Sequence, residues 1–228
     1  MRFSRLLTVA VLSGSLAAVT GCAATLPPVS DKVASYYDEH KGQKPATATA
    51  APVVAFLGDS YTAGSGAPSG RGWTTLLSGS AGWVERGFGF GGTNYATAGT
   101  LPGGTAYVDR VAAVIAAHPD KVIVSGGQNN LGADQSVGIK KTFEGLRGGL
   151  PKADIIALSP FWKAAALPPA LEEVASQVKA SVESVGGRYV NISNPLEGHP
   201  ELLDADGVHP NTAGHELIAK AVKAALGS

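Results

Sequence analysis

Val53-Val54-Ala55-Phe56-Leu57-Gly58-Asp59-Ser60 is the stretch from which the rest of the chain is read. Five apolar residues ending abruptly on Gly-Asp-Ser predict a short buried strand followed by a turn of small residues. Such a turn sets the Ser60 hydroxyl at the strand tip. Residues 121–124 and 154–158 are apolar runs of the same kind, residues 188–191 read as another strand, and one more is expected near 82–88. Helical patterns fall between them, at 108–117, at about 133–146 and at 169–185. The last helix follows Pro210, with Asn211 or Thr212 as its cap and Leu217, Ile218, Ala221, Val222, Ala225 and Leu226 as its apolar face. Alternating strands and helices predict an open parallel α/β sheet with helices on both faces.

A serine hydroxyl is a poor nucleophile near neutral pH and needs a base within hydrogen-bond reach. Asp206-Gly207-Val208-His209, just before the final helix, offers an imidazole and a carboxylate to orient it. Asp204 is the rival carboxylate. Gly126-Gly127-Gln128-Asn129, after the 121–124 strand, adds a side-chain amide that can donate to an oxyanion. Taken singly, Ser60 reads as a turn cap and Asp206 with His209 as a polar loop capping the last helix. His215 and His199 read as structural or solvated histidines.

In this order the blocks resemble those of the SGNH/GDSL hydrolase superfamily. The resemblance covers roughly residue 52 to the C-terminus. It implies Ser60 as nucleophile, His209 as base, Asp206 as orienting acid, and an oxyanion site made by the backbone N–H of Ser60, the backbone N–H of Gly99 in Ala96-Thr97-Ala98-Gly99, and the Asn129 amide. It also implies a flavodoxin-like three-layer α/β/α sandwich on a mostly five-stranded parallel sheet of order 2-1-3-4-5, with the ligand at the switch point between strands 1 and 3. The bland alternative for Gly99 is a turn glycine, one of 30 in the chain. Asn130 departs from the Asp that often follows the third-block Asn, which alters the polarity of that loop.

Other chemistries fit less well. Gly87-Phe88-Gly89-Phe90-Gly91-Gly92 matches a dinucleotide fingerprint, but no amphipathic helix follows to hold a pyrophosphate. No Gly-x-Ser-x-Gly elbow is present. His215-Glu216 lacks the second His of a zinc-protease helix, so neither metal nor cofactor is expected. Eighteen Lys and Arg against eighteen Asp and Glu give no basic surface for nucleic acid. Tyr61, Trp73, Phe161 and Trp162 are expected as walls of the substrate pocket, set against the commoner role of aromatics as core.

The N-terminus reads separately. Arg2 and Arg5 precede an apolar run at 6–19, too short for a comfortable membrane span of about 20 residues, and Val19-Thr20-Gly21-Cys22 has the form of a bacterial lipobox. Residues 1–21 are thus expected to be a lipoprotein signal. Cys22, the only cysteine, is the expected lipidation site, with an ordinary secretory signal as the alternative. Residues 22–51, rich in Pro, Ala and Thr and with a short helix possible at 30–40, form the expected tether, and 52–228 the hydrolase domain. The whole suggests an exported serine esterase, anchored by Cys22 on the extracytoplasmic side of the membrane or else secreted. Its substrate would be a small acyl ester, an acylated glycan or a lipid. An envelope O-acyltransferase using the same acyl-enzyme, or a non-catalytic binding lipoprotein, are the other readings.

Overall fold

The structure is a computed structural model that describes residues 50–227. The expected signal, Cys22 and all but the last two residues of the expected tether lie outside the described residues. Five strands form one sheet: β1 (Val53–Gly58), β2 (Val84–Gly89), β3 (Lys121–Ser125), β4 (Asp154–Leu158) and β5 (Arg188–Val190). They lie in the order β2-β1-β3-β4-β5, every neighbouring pair parallel. Among the described residues six α-helices accompany them: α1 (Ser60–Ala63), α2 (Trp73–Ala81), α3 (Tyr107–Ala116), α4 (Ser136–Gly149), α5 (Pro169–Ser184) and α6 (Thr212–Leu226). Among the described residues no helix is long and apolar enough to cross a membrane.

Both faces of the sheet are covered, which is why its strands read as continuous apolar runs. Successive side chains of a strand point to opposite faces. Ala55 and Leu57 therefore join Val122, Val124, Ile155 and Ala157 in a core closed by Val111 and Val114 of α3, Phe143 of α4 and Val178 of α5. Val54 and Phe56 join Ile123, Ile156 and Leu158 in a second core closed by Trp73 and Leu77 of α2 and Ile218 and Val222 of α6.

Helix boundaries are set by local hydrogen bonds. Asn211 caps α6, its side chain accepting from Gly214 N at 3.1 Å. Helix α4 starts at Ser136 and not at 133, because residues 126–135 form the loop that carries Asn129, and Asp134 Oδ1 accepts from Ser136 N at the helix start. Helix α2 has no counterpart among the helical patterns of the sequence, because Gly79 and a run of Thr and Ser dilute its apolar stripe.

Register places the site. Gly58 of β1 pairs with Gly89 of β2 on one side and with Ser125 of β3 on the other, so the three strands end at one level. The chain leaves β1 for β2 on one side and returns to β3 on the other, opening a crevice above β1. Ser60 follows β1 by two residues and Asn129 follows β3 by four, which puts both at that crevice.

Candidate active site

Ser60 is the first residue of α1 and is 7% exposed. Asp59 before it caps the helix, Oδ1 accepting from Tyr61 N at 3.0 Å. The crevice above β1 has a volume of about 320 Å³ and is lined by Ser60, Tyr61, Gln128, Asn129, Trp162 and His209, with Gly92, Asn130, Lys163 and Val208 completing it. A larger groove, of about 450 Å³, runs beside α1 and β2 but is lined by neither Ser60 nor a histidine.

The Asp206–His209 loop is internally braced. Asp206 Oδ1 accepts from the backbone N–H groups of Val208 (2.8 Å) and His209 (2.9 Å), while Oδ2 lies 2.5 Å from His209 Nδ1. The His209 backbone N–H, the imidazole and the Val208 N–H hold the Asp206 carboxyl down at about 2, so it is charged at any working pH. An acceptor at Nδ1 fixes the tautomer with the proton there and leaves Nε2 free to take one. Asp204 meets His209 only through its backbone, its N–H donating to the His209 carbonyl at 2.7 Å. Tyr61 ties this loop to the serine turn, its hydroxyl donating to the Val208 carbonyl at 2.5 Å. Ser60 and His209 line the same crevice, with no hydrogen bond between their side chains.

Asn129 lines the same crevice. Nδ2 donates to the Thr93 carbonyl at 2.9 Å, and the Asn129 carbonyl accepts from Asn94 Nδ2 at 2.6 Å. Since a carbonyl only accepts, the first bond fixes which way the amide faces, and one N–H of Nδ2 remains to be used.

Gly99 adjoins this crevice and is not among its lining residues. It lines a neighbouring depression with Thr97, Ala98 and Thr100, which shares Gly92 and Asn130 with the crevice. Its φ is +69°, and a Cβ would meet the Gly92 carbonyl oxygen at 2.5 Å, so the fold of this loop by itself requires a glycine here. Asn130 also has a left-handed φ, +52°, which Asn tolerates better than most residues.

Two of the four aromatics are corrected outright. Trp73 and Phe161 are fully buried and pack edge to face on each other, with centroids 5.5 Å apart; Trp73 also meets Phe56 at 5.5 Å. They are core, because both point at the same sheet face as Phe56. Tyr61 stacks on Phe161 but reaches the crevice, and Trp162 lines it with Lys163 Nζ 5.6 Å from its ring. His215 is buried, with Nδ1 accepting from Trp73 N at 3.3 Å and Nε2 donating to the Ser65 carbonyl at 3.0 Å. His199 lies exposed beside Glu201. Among the described residues no cluster of metal-binding side chains occurs.

Asp59 reads in the sequence only as part of a turn, yet it lies at the centre of a buried polar group. Tyr107 donates to its Oδ2 at 3.0 Å, and burial raises the carboxyl to about 6 against the lowering effect of the Tyr61 N–H, the Tyr107 hydroxyl and Arg110. The signal for this was present, since Asp is a favoured N-cap residue. Between about pH 4 and pH 6 the unfolded chain ionises Asp59 while the folded protein keeps it protonated, so this group makes stability fall as pH rises through that window. Asp59→Asn does not titrate and can still accept from Tyr61 N. Its stability relative to wild type is therefore expected to improve by ~2–3 kcal/mol from pH 4 to pH 7, because each pH unit that separates the two ionisations is worth about 1.4 kcal/mol. Denaturant melts at the two pH values check this; a gap that stays constant would show that Asp59 does not titrate there.

The comparisons with known proteins agree with this geometry. Residues 56–217 match the GDSL-like Lipase/Acylhydrolase family. A GDSL lipase of Mycobacterium tuberculosis is 30% identical over 191 residues, covering 73% of this chain and 78% of the relative. Among solved structures, a member of the lipolytic G-D-S-L family from Veillonella parvula superimposes with a TM-score of 0.56 at 18% identity, covering 75% of this chain and 95% of that one. An acetylxylan esterase from Geobacillus stearothermophilus, solved as a catalytic mutant, gives 0.51 at 21% identity, covering 77% and 94%. With the matched segment running from within β1 into α6, and so spanning the serine turn and the histidine loop alike, this chain belongs to the GDSL-like lipase/acylhydrolase family and is a hydrolase of ester bonds.

Proposed function

We propose that the protein is an exported, lipid-anchored serine esterase that removes short acyl groups from an envelope glycan or lipid through an acyl-enzyme. The observation that carries this is the His209 imidazole, held at Nδ1 by Asp206 and facing the crevice that Ser60 and Asn129 also line. Ser60 Oγ attacks the ester carbonyl as its proton passes to His209 Nε2. The carbonyl oxygen, now negative, is met by the Ser60 N–H and the unused N–H of Asn129, with the Gly99 N–H as third donor from the adjoining depression that shares Gly92 and Asn130 with the crevice. The tetrahedral centre collapses, His209 returns the proton to the departing alcohol, and water repeats the sequence to release the acid.

A volume of about 320 Å³ is at the small end for ligand pockets and suits an acetyl group with a single sugar ring better than a long acyl chain. Trp162 offers that ring a flat apolar face. The Geobacillus relative of like fold is named an acetylxylan esterase, which supports a carbohydrate ester in the same sense.

The test is a panel of esters from acetyl to long-chain acyl, together with acetylated glycans, hydrolysed by the purified full chain, with a serine-directed phosphonate to locate the nucleophile. Acetyl esters are expected to turn over fastest and Ser60 to carry the phosphonate. Label on another serine overturns the mechanism. A preference for long chains overturns the substrate class, and transfer to an added sugar acceptor in place of water makes the protein an acyltransferase. In cells, Cys22→Ser is expected to lose lipid labelling and membrane retention, since two acyl chains hold a protein far better than one. Wild-type protein without lipid would leave a secreted enzyme.

A further inference from the structure

Arg110 lies on α3, away from the crevice, and has no part in the steps above. Its guanidinium is half-buried and stacks 4.9 Å from the Tyr107 ring. Nη1 donates to the Gly58 carbonyl at 2.8 Å and to the Phe88 carbonyl, so one nitrogen bridges the tips of β1 and β2. Nη2 donates to Thr93 Oγ1 at 2.8 Å, and that hydroxyl donates onward to the Phe90 carbonyl at 2.8 Å. Thr93 is fully buried, and its own carbonyl is the group that accepts from Asn129 Nδ2.

These contacts form a line from the strand tips to the oxyanion wall. A planar amide has two N–H bonds at a fixed angle. Wherever Thr93 holds the first, the direction of the second follows. Thr93 in turn sits in a loop with no ladder to hold it, and the fork of Arg110 fastens it to Gly58 at the end of β1, two residues before Ser60. A guanidinium suits this because it presents several donors in a rigid plane, which the ammonium of a lysine does not.

We propose that Arg110 is a positioning residue for Asn129: through Thr93 it fixes the direction of the N–H that meets the oxyanion. This rests on the assignment of Asn129 as an oxyanion donor. A misplaced donor weakens transition-state binding and leaves ground-state binding nearly as it was.

Arg110→Lys in the full chain is expected to lower kcat on a small soluble ester roughly tenfold, less than the ~10²-fold that a full ångström of misplacement can cost. KM is expected to stay within about twofold. The deciding measurement is a double-mutant cycle. If Arg110 acts through Asn129, the Arg110→Lys loss in kcat shrinks to nearly nothing when Asn129 is already Ala, because no amide is left to aim. Thr93→Val keeps the carbonyl and the shape of the side chain and removes only the hydroxyl. It is expected to show the same non-additivity with a smaller loss, and it decides the matter should Arg110→Lys fail to fold. Equal losses in both backgrounds, or a change confined to KM, overturn the proposal and leave Arg110 as ordinary structural support. Asn129→Ala with unchanged kcat is a different result, overturning the oxyanion assignment and the proposal with it.

Discussion

Ser60→Ala is expected to give a folded protein with no measurable ester turnover beyond what the oxyanion donors and binding alone supply, and His209→Ala to come close to it. Both changes leave in place the hydrogen bonds that the backbone of each loop makes. The turn after β1 is fixed by Asp59 Oδ1 on Tyr61 N and by the backbone bond from Ser65 N to the Ser60 carbonyl, none of which uses Ser60 Oγ. The histidine loop keeps its backbone bonds, from His209 N to Asp206 Oδ1 and from Asp204 N to the His209 carbonyl, when the imidazole is removed. Losing the nucleophile or the base of such a set is worth a factor of ~10⁶ in kcat where it has been dissected. The two variants are also expected not to add, since each removes the same step. Turnover assays with thermal melts of both proteins check this. A folded Ser60→Ala enzyme that still hydrolyses esters at the wild-type rate would end the serine mechanism.

Asn129→Ala is expected to lower kcat by roughly 10²- to 10³-fold, the size found when a single oxyanion donor is removed, or about 3 kcal/mol of barrier. KM should change far less, because the donor meets a charge that exists only in the transition state. The amide also serves the fold, since its removal leaves the Thr93 carbonyl without that donor. Asn129→Asp separates the two roles. It preserves shape but places oxygens where Nδ2 faced the Thr93 carbonyl and the developing oxyanion. Its activity should fall below that of the alanine variant, because a negative charge there repels the one being formed. If the aspartate variant is the more active of the two, Asn129 does not face the oxyanion.

The sheet was legible because each strand announces itself twice, by an apolar run and by what stops it. β4 was read with its observed ends, Asp154–Leu158, since both faces of a central strand are covered and no polar residue interrupts it. The last helix was legible from Asn211 onward for a different reason, a capping residue ahead of an apolar stripe. The pairing of Asp206 with His209 is local, three residues apart, and so could be read from spacing. What could not be read depends on distant partners. Trp73 and Phe161 look like any aromatics near a crevice, and only their shared contact with each other and, through Trp73, with Phe56 makes them core. Gly99 is glycine because of Gly92, a relation that exists only once the loop has folded back. Arg110 lies in an ordinary amphipathic helix, and nothing near it in sequence shows that its fork closes over the ends of two strands.

The bond from the Tyr61 hydroxyl to the Val208 carbonyl joins residues 147 positions apart and ties together the two loops that bear Ser60 and His209. During synthesis, the half of the chain that carries the serine emerges long before the half that carries the base. On the proposed mechanism a partly made chain therefore holds an unactivated hydroxyl and cannot be acylated by whatever ester it meets. Competence arrives only when the C-terminal segment docks, among the last long-range closures the topology allows and a slow kind of step. Recovery of esterase turnover after dilution from denaturant should accordingly lag behind the recovery of helical circular dichroism, and the length of that lag measures how late the last loop finds the first.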